Sequence, residues 1–270
     1  MYLTDFHCHS VLSPDGHVPL AEMAAAMHAA GIQEMCITDH CDLLAEDGTP
    51  RPYYDWVPVL AQFRETMAAH GPRPALRLGI ELGSAPFDPA AARAILDRPE
   101  LDFVLGSLHN WSPASGGTDF YYTRYDSDAI CAKALEDYFT SMASLVALPD
   151  CYDSLAHLIY PLRYMARDGR SISLSPYEAR IRSILTAVAQ SGHALEINTY
   201  VGRTVTDWAP ILAWYKECGG EFITLGADAH DPQHAGAGIP AAYALIEAAG
   251  FRYVTVYRQR KPCPIPLRTG

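Results

Sequence analysis

Leu3-Thr4-Asp5-Phe6-His7-Cys8-His9 begins as an apolar, strand-like run and ends in two histidines. An open, doubly wound sheet normally follows its first strand with a glycine-rich phosphate loop. Here the strand ends in His-Cys-His instead, which favours a barrel. On a strand, residues two apart share a face, so His7 and His9 project together and Cys8 turns the other way.

The same arrangement recurs along the chain. Cys36-Ile37-Thr38-Asp39-His40, Leu78-Gly79-Ile80-Glu81 and Phe103-Val104-Leu105-Gly106-Ser107-Leu108-His109 each close an apolar run with a His or a carboxylate. So do Leu155-Ala156-His157 and Phe222-Ile223-Thr224-Leu225-Gly226-Ala227-Asp228-Ala229-His230, and Leu195-Glu196-Ile197-Asn198 carries its carboxylate two residues before its end. Helix-like segments lie between them: 20–30, 57–70, 90–96, 129–148, 177–190, 208–218 and 241–249. Strand, loop and helix alternate roughly every 30–40 residues, the pattern of βα units around a parallel sheet. The long segments 41–56 and 110–128 fall on the side where a βα barrel places its functional loops. Pro-rich stretches at 50–52, 72–74 and 262–266 read as loops and a terminal arm. A barrel of seven or eight strands, formed by residues 1–270 as one domain, is the expected architecture.

Composition narrows the function. Of the 270 residues, 49% are hydrophobic, ample for a core, yet no apolar run approaches the ~18 residues of a membrane span. The N-terminus enters a strand at once, without the layout of a signal peptide, so a cytoplasmic protein is expected. A formal net charge of −11 disfavours nucleic acid as a partner, because phosphate neutralisation needs a basic surface. The seven cysteines form no C-x-x-C pair, and Cys8 and Cys36 read as buried thiols.

Donors at the same end of many strands converge. His7, His9, Asp15, His40, Glu81, His109, His157, Asp228 and His230 are therefore the candidate metal ligands, Asp15 reaching in from the loop after the first strand. Nine donors exceed the needs of one ion, so two or three are expected, with a carboxylate such as Glu81 bridging. Mixed imidazole and carboxylate ligands suit Zn, Mn or Fe. His17 reads as a solvated loop residue, and His28, His70, His193 and His234 as surface residues. Asp39 points away from His40 and caps a turn or supports another ligand. No G-x-S-x-G or C-x5-R motif offers a protein nucleophile, so no catalytic residue is assigned beyond the metal ligands.

Asp5-Phe6-His7-Cys8-His9-Ser10, Ser13-Pro14-Asp15-Gly16, Ile37-Thr38-Asp39-His40, Gly79-Ile80-Glu81, Gly106-Ser107-Leu108-His109, Ala156-His157 and Gly226-Ala227-Asp228-Ala229-His230 together resemble the polymerase and histidinol phosphatase (PHP) superfamily. Leu195-Glu196-Ile197-Asn198-Thr199, the stretch 228–236 and the end 249–258 resemble its stand-alone histidinol-phosphatase branch. The resemblance implies a distorted (β/α)7 barrel with a trinuclear site at the C-terminal ends of its strands. It implies the same nine ligands, and hydrolysis of L-histidinol phosphate in histidine biosynthesis by attack of a metal-bound hydroxide. One position departs: family members often carry Asp two residues after the ligand matching His157, and here Ile159 stands there. Arg163 and Arg203 lie on expected catalytic-face loops, each a phosphate clamp or a surface ion pair; the resemblance favours the clamp. Tyr53, Tyr54, Trp56, Trp111, Tyr121, Tyr122 and Tyr200 read as loop packing, with stacking on an imidazole as the alternative. Competing readings are a phosphoesterase for nucleotides or oligonucleotides and an inactive metal-binding barrel module.

Overall fold

The apolar runs pair in parallel, and helices carry the chain from the end of one to the start of the next. In the computed structural model, which describes residues 1–267, the order opens β1 (Thr4–Cys8), α1 (Leu20–Ala29), β2 (Glu34–Ile37), β3 (His40–Asp42), α2 (Trp56–Ala69), β4 (Ala75–Gly83). It continues α3 (Pro89–Leu96), β5 (Phe103–Ser107), α4 (Asp128–Val146), β6 (Ser154–Leu155), α5 (Tyr160–Arg167), α6 (Glu178–Ser191), β7 (Ala194–Asn198). It ends α7 (Ala209–Glu217), β8 (Ile223–Gly226), α8 (Ile239–Ala248), β9 (Tyr253–Arg258), β10 (Lys261–Pro266). Helix starts are set by short polar caps: Asp55, Asp88 and Ser127 accept from Val57 N, Ala91 N and Ile130 N.

The sheet runs β1-β2-β4-β5-β6-β7-β8, with β3 lying on β4 beyond the end of β2. β2 and β3 thus form one interrupted stave, giving seven. The break has a local cause: Thr38 bonds Cys8 O, and the Asp39 carboxylate accepts Ser10 N at 2.6 Å and Ser10 Oγ at 2.8 Å. The barrel nearly closes between its ends, where Asp228 N donates to His7 O and His9 N to Ala229 O, each at 2.9 Å. This is the distorted (β/α)7 barrel expected from the sequence.

The two ends of the barrel differ. Phe6, Cys36, Phe103, Leu105 and Ala194 form a small interior cluster, separate from the large core between strands and helices. Val256 and Tyr257 of β9 join it, so the antiparallel β9–β10 hairpin plugs the N-terminal end. The 262–266 stretch is therefore a strand, not an arm. Its prolines sit on an edge facing no further strand, where a missing N–H costs nothing. Glu34 anchors the plug: fully buried, it accepts from Arg77 Nε at 2.7 Å and from Arg258 Nη2 at 3.0 Å. α5 is the helix the periodicity did not reveal; it is only eight residues long, with Pro161 near its start.

Burial alone would raise the Glu34 carboxyl, but hydrogen bonds from Arg258 and Arg77 outweigh it and hold the group below its ordinary value. Replacing Glu34 with Gln should cost about 1.5–3 kcal/mol in urea unfolding. Because the folded-state pKa is depressed, this contribution is complete above the unfolded value and disappears as pH falls through the folded one. The gap between wild type and Glu34→Gln should therefore narrow below about pH 4; a gap that widens in acid contradicts the ion-pair account.

Candidate metal centre

Glu81, near the end of β4, is fully buried and surrounded by imidazole. His7 Nε2, His40 Nδ1 and His9 Nε2 lie 3.2, 3.0 and 3.6 Å from Oε2. His109 Nε2 and His157 Nε2 lie 3.0 and 2.8 Å from Oε1. Five rings from four parts of the chain thus face one carboxylate. Asp228 Oδ1 stands 3.5 Å from both His7 Nε2 and His9 Nε2. At the outer edge Asp15, largely exposed on its loop, comes within 3.6 Å of His40 Nε2 and 3.2 Å of His230 Nε2. All nine residues singled out in the sequence are brought together.

The donor set fits cations better than it fits protons. His109 Nε2 and His157 Nε2 lie 3.2 Å apart and face the same carboxylate oxygen, so one proton satisfies neither arrangement fully. Buried His9 Nε2, His40 Nδ1 and His230 Nε2 have no hydrogen-bond partner of suitable geometry, despite the nearby carboxylates. Four overlapping groups have ligand atoms within 4.8 Å of one another: His9–His40–His230, His7–His9–Glu81, His40–Asp42–His109 and Glu81–His109–His157. Nitrogen lone pairs and carboxylate oxygens aimed at shared gaps are what a borderline divalent ion requires.

Burial and mutual charge shift the groups of the centre strongly. Burial would raise Glu81, but His7, His109 and His40 hold it well below the usual carboxylate range. Burial would also raise Asp228, which His7, His9 and Arg163 likewise keep low. His9 is pushed well below the ordinary imidazole value by burial first and then by His230 and His40, leaving it neutral, the ligating form. His40 is lowered by burial, yet Glu81 lifts it to about 9.

Backbone geometry is unusual at the centre. β1 has an irregular register between Asp5 and Cys8, so Phe6 packs on Phe103 inside the barrel while adjacent His7 also faces inward. His157 has φ +22° and Asp228 φ +60°, in the left-handed region that L-residues rarely adopt. β8 stops at Gly226, so Asp228 and His230 do not alternate on a strand as His7 and His9 were expected to. They reach the centre through a turn. A Cβ on Gly226 would lie 2.3 Å from His7 Cβ and 2.4 Å from Glu196 Oε1, and only glycine allows that approach.

Two residues of the centre carry roles the sequence reading did not assign. Asp42 Oδ1 is 2.8 Å from His109 Nδ1; its spacing of two from His40 was the available signal. Glu196 Oε1 is 2.5 Å from His7 Nδ1. Asp39 supports from behind: it accepts from Ser13 Oγ, which is 3.0 Å from His9 Nδ1. His17 is exposed, 3.1 Å from Asp231.

Arg163 sits on α5, not on a loop, and is buried. Its guanidinium donates to Asp228 Oδ2 at 2.9 Å and Asn198 Oδ1 at 3.2 Å, with its carbon 4.1 Å from the Tyr200 ring centre and 4.8 Å from that of Tyr160. Arg203 lies on the exposed turn after β7, 5.3 Å from the Tyr200 ring. Both line a cavity of about 440 Å³ beside the centre, as does Ile159, an apolar wall at an α5 start that has no side-chain cap. A cavity of about 230 Å³ opens over the donors, and one of about 550 Å³ lies on the other side. Trp56 packs inside, its Nε1 donating to Ile95 O, whereas Tyr121 and Tyr122 are exposed at the mouth.

Residues 5–200 match the family described as PHP domain. A histidinol-phosphatase from Lactococcus lactis subsp. lactis (strain IL1403) is 28% identical over 268 residues, covering 95% of each chain. A probable histidinol-phosphatase from Clostridium acetobutylicum is 26% identical over 253 residues, covering 93% of this chain and 95% of its own. Among solved structures, the histidinol phosphate phosphatase of Lactococcus lactis, complexed with zinc, L-histidinol and phosphate, superposes with a TM-score of 0.80 at 26% identity. That match covers 97% of this chain and 98% of the other.

Gly226→Ala tests the close approach. The added methyl should displace His7 or Glu196, destabilise the fold by about 1–3 kcal/mol, and lower the zinc bound per chain. Wild-type stability and zinc content, by thermal melt and elemental analysis, would show that the centre tolerates the displacement.

Proposed function

The chain belongs to the PHP domain family, and from that premise we propose that it is a metal-dependent phosphomonoesterase hydrolysing L-histidinol phosphate to L-histidinol and phosphate, a step of histidine biosynthesis. The observation that carries this is the cage around Glu81, open to solvent through a cavity of about 230 Å³. The end-to-end similarity to histidinol-phosphatases supports the substrate.

Two or three cations, zinc foremost, would be held by His7, His9, Asp15, His40, Glu81, His109, His157, Asp228 and His230. Such cations would offset the charge of a dianionic ester and would supply a nucleophile by lowering the pKa of water from 15.7 toward about 7. The protein side chains do the rest. Arg163, pinned between two tyrosine rings, keeps a fixed positive field at the junction of two cavities and orients Asp228. Arg203 makes no ion pair among the described residues and is free to meet phosphate oxygens bidentately. The larger cavity presents Asp42, Glu46 and Asp119 beside Arg51. That wall favours a substrate with a cationic ammonium over one carrying further negative charge. Among the described residues no helix is long and apolar enough to cross a membrane; we read residues 1–270 as one cytoplasmic domain acting on a small molecule.

Zinc-reconstituted protein should release phosphate from L-histidinol phosphate with at least about tenfold higher kcat/KM than from a nucleoside monophosphate or an aryl phosphate, and chelation should abolish it. A preference for the nucleotide would overturn the substrate and leave the chemistry standing. Arg203→Ala should raise KM about tenfold with bound zinc unchanged; unaltered kinetics would remove Arg203 from the site.

A further inference from the structure

We propose that Glu196 is a positioning residue of the metal centre, orienting His7 and His157 toward Glu81 while itself standing behind the donors. The inference rests on the reading of the centre given above and deepens it. Glu196 is buried, with its side chain 1% exposed, and it lines none of the three cavities around the centre.

Its two oxygens serve two donors. Oε1 lies 2.5 Å from His7 Nδ1. A carboxylate oxygen only accepts, so the proton between them belongs on Nδ1. That tautomer leaves the Nε2 lone pair facing Glu81 Oε2 at 3.2 Å and Asp228 Oδ1 at 3.5 Å. Oε2 accepts the backbone N–H of His157 at 2.8 Å. β6 has only two residues, so its ladder ends before His157, whose φ of +22° needs an external restraint. The Glu196 bond supplies it, and His157 Nε2 is thereby held 2.8 Å from Glu81 Oε1.

The surroundings are built for this carboxylate. Asn198, two residues on and on the same face of β7, places Nδ2 3.5 Å from Glu196 Oε1 and 3.2 Å from Asp228 Oδ2. Gly226 leaves the space that any side chain would take from Oε1. Among the described residues His7 is the sole ion-pair partner of Glu196; no Lys or Arg neutralises it. A buried carboxylate in that position is balanced when positive charge sits on the far side of the ring, as in carboxylate–histidine–cation chains.

The test compares wild type, Glu196→Gln and Glu196→Asp by zinc titration against a chelator, melting of the metal-free protein, and kcat and KM for L-histidinol phosphate. Glu196→Gln is isosteric. It should keep the metal-free Tm within about 2 °C, weaken zinc about 10–100-fold and lower kcat by a similar factor with KM changed less than about threefold. Glu196→Asp should recover part of both losses. Wild-type zinc affinity and kcat in Glu196→Gln would overturn the proposal. So would a fall in metal-free Tm that accounts for the lost zinc, since that marks a purely structural role. If wild type itself takes up no zinc, the underlying reading falls and this proposal with it.

Discussion

Glu81 carries a charge on a fully buried side chain, and an ionised carboxylate buried without partners would cost several kcal/mol. The chain meets that cost from five directions, with His7, His9, His40, His109 and His157 all within 3.6 Å of its oxygens. Hydrogen-bonded neutral pairs do not resolve the arrangement, because several imidazole nitrogens compete for one oxygen. Cations do, which links the electrostatics of the fold to the chemistry it supports. The low pKa of Glu81 and the neutral state of His9 are two consequences of that constraint.

Precision at the mouth depends on rigidity elsewhere. The N-terminal end is closed by the β9–β10 hairpin, fastened by Glu34 and by Asp153, which accepts from Arg260 and Val104. Outside the staves, an apolar layer fixes the helices. Positive φ recurs in the hairpin turn, at Gln259 and Arg260, and at the other end, where His157, Asp228, Tyr200 and Val201 adopt it. For Val201, β-branched, that conformation is especially costly. A plugged base and a packed wall hold these residues in place, and the ligand-bearing turns do not have to hold themselves.

Behind the donors runs a shell of polar supports: Asp39 through Ser13 to His9, Asp42 to His109, Glu196 to His7 and His157, and Asn198 with Arg163 to Asp228. Each removes one rotational freedom from a donor side chain, so the cage is held in one arrangement by its own hydrogen bonds. Ile159 shows the limit of family likeness. It places an apolar side chain on the cavity wall where the resemblance had implied a carboxylate, and α5 begins without a side-chain cap as a result.

The nine donors and the βα alternation were legible in the sequence, because a parallel barrel brings the ends of its strands to one rim whatever the details of packing. Periodicity is a local property, and it located seven of the eight α-helices of the described residues. It could not show α5, too short to display a pattern, or the pairing of Lys261–Pro266 with β9, which depends on a partner strand and on the barrel floor beneath it. Nor could it say that Arg163 would be buried against Asp228, or that Glu196 would stand 2.5 Å behind His7, 189 positions away in the chain. Those distances are set by how seven staves close and by which side chains the interior leaves room for. Residue identity supplied the chemistry, and only the closed barrel decided which groups gather around Glu81 and which ones stand behind them.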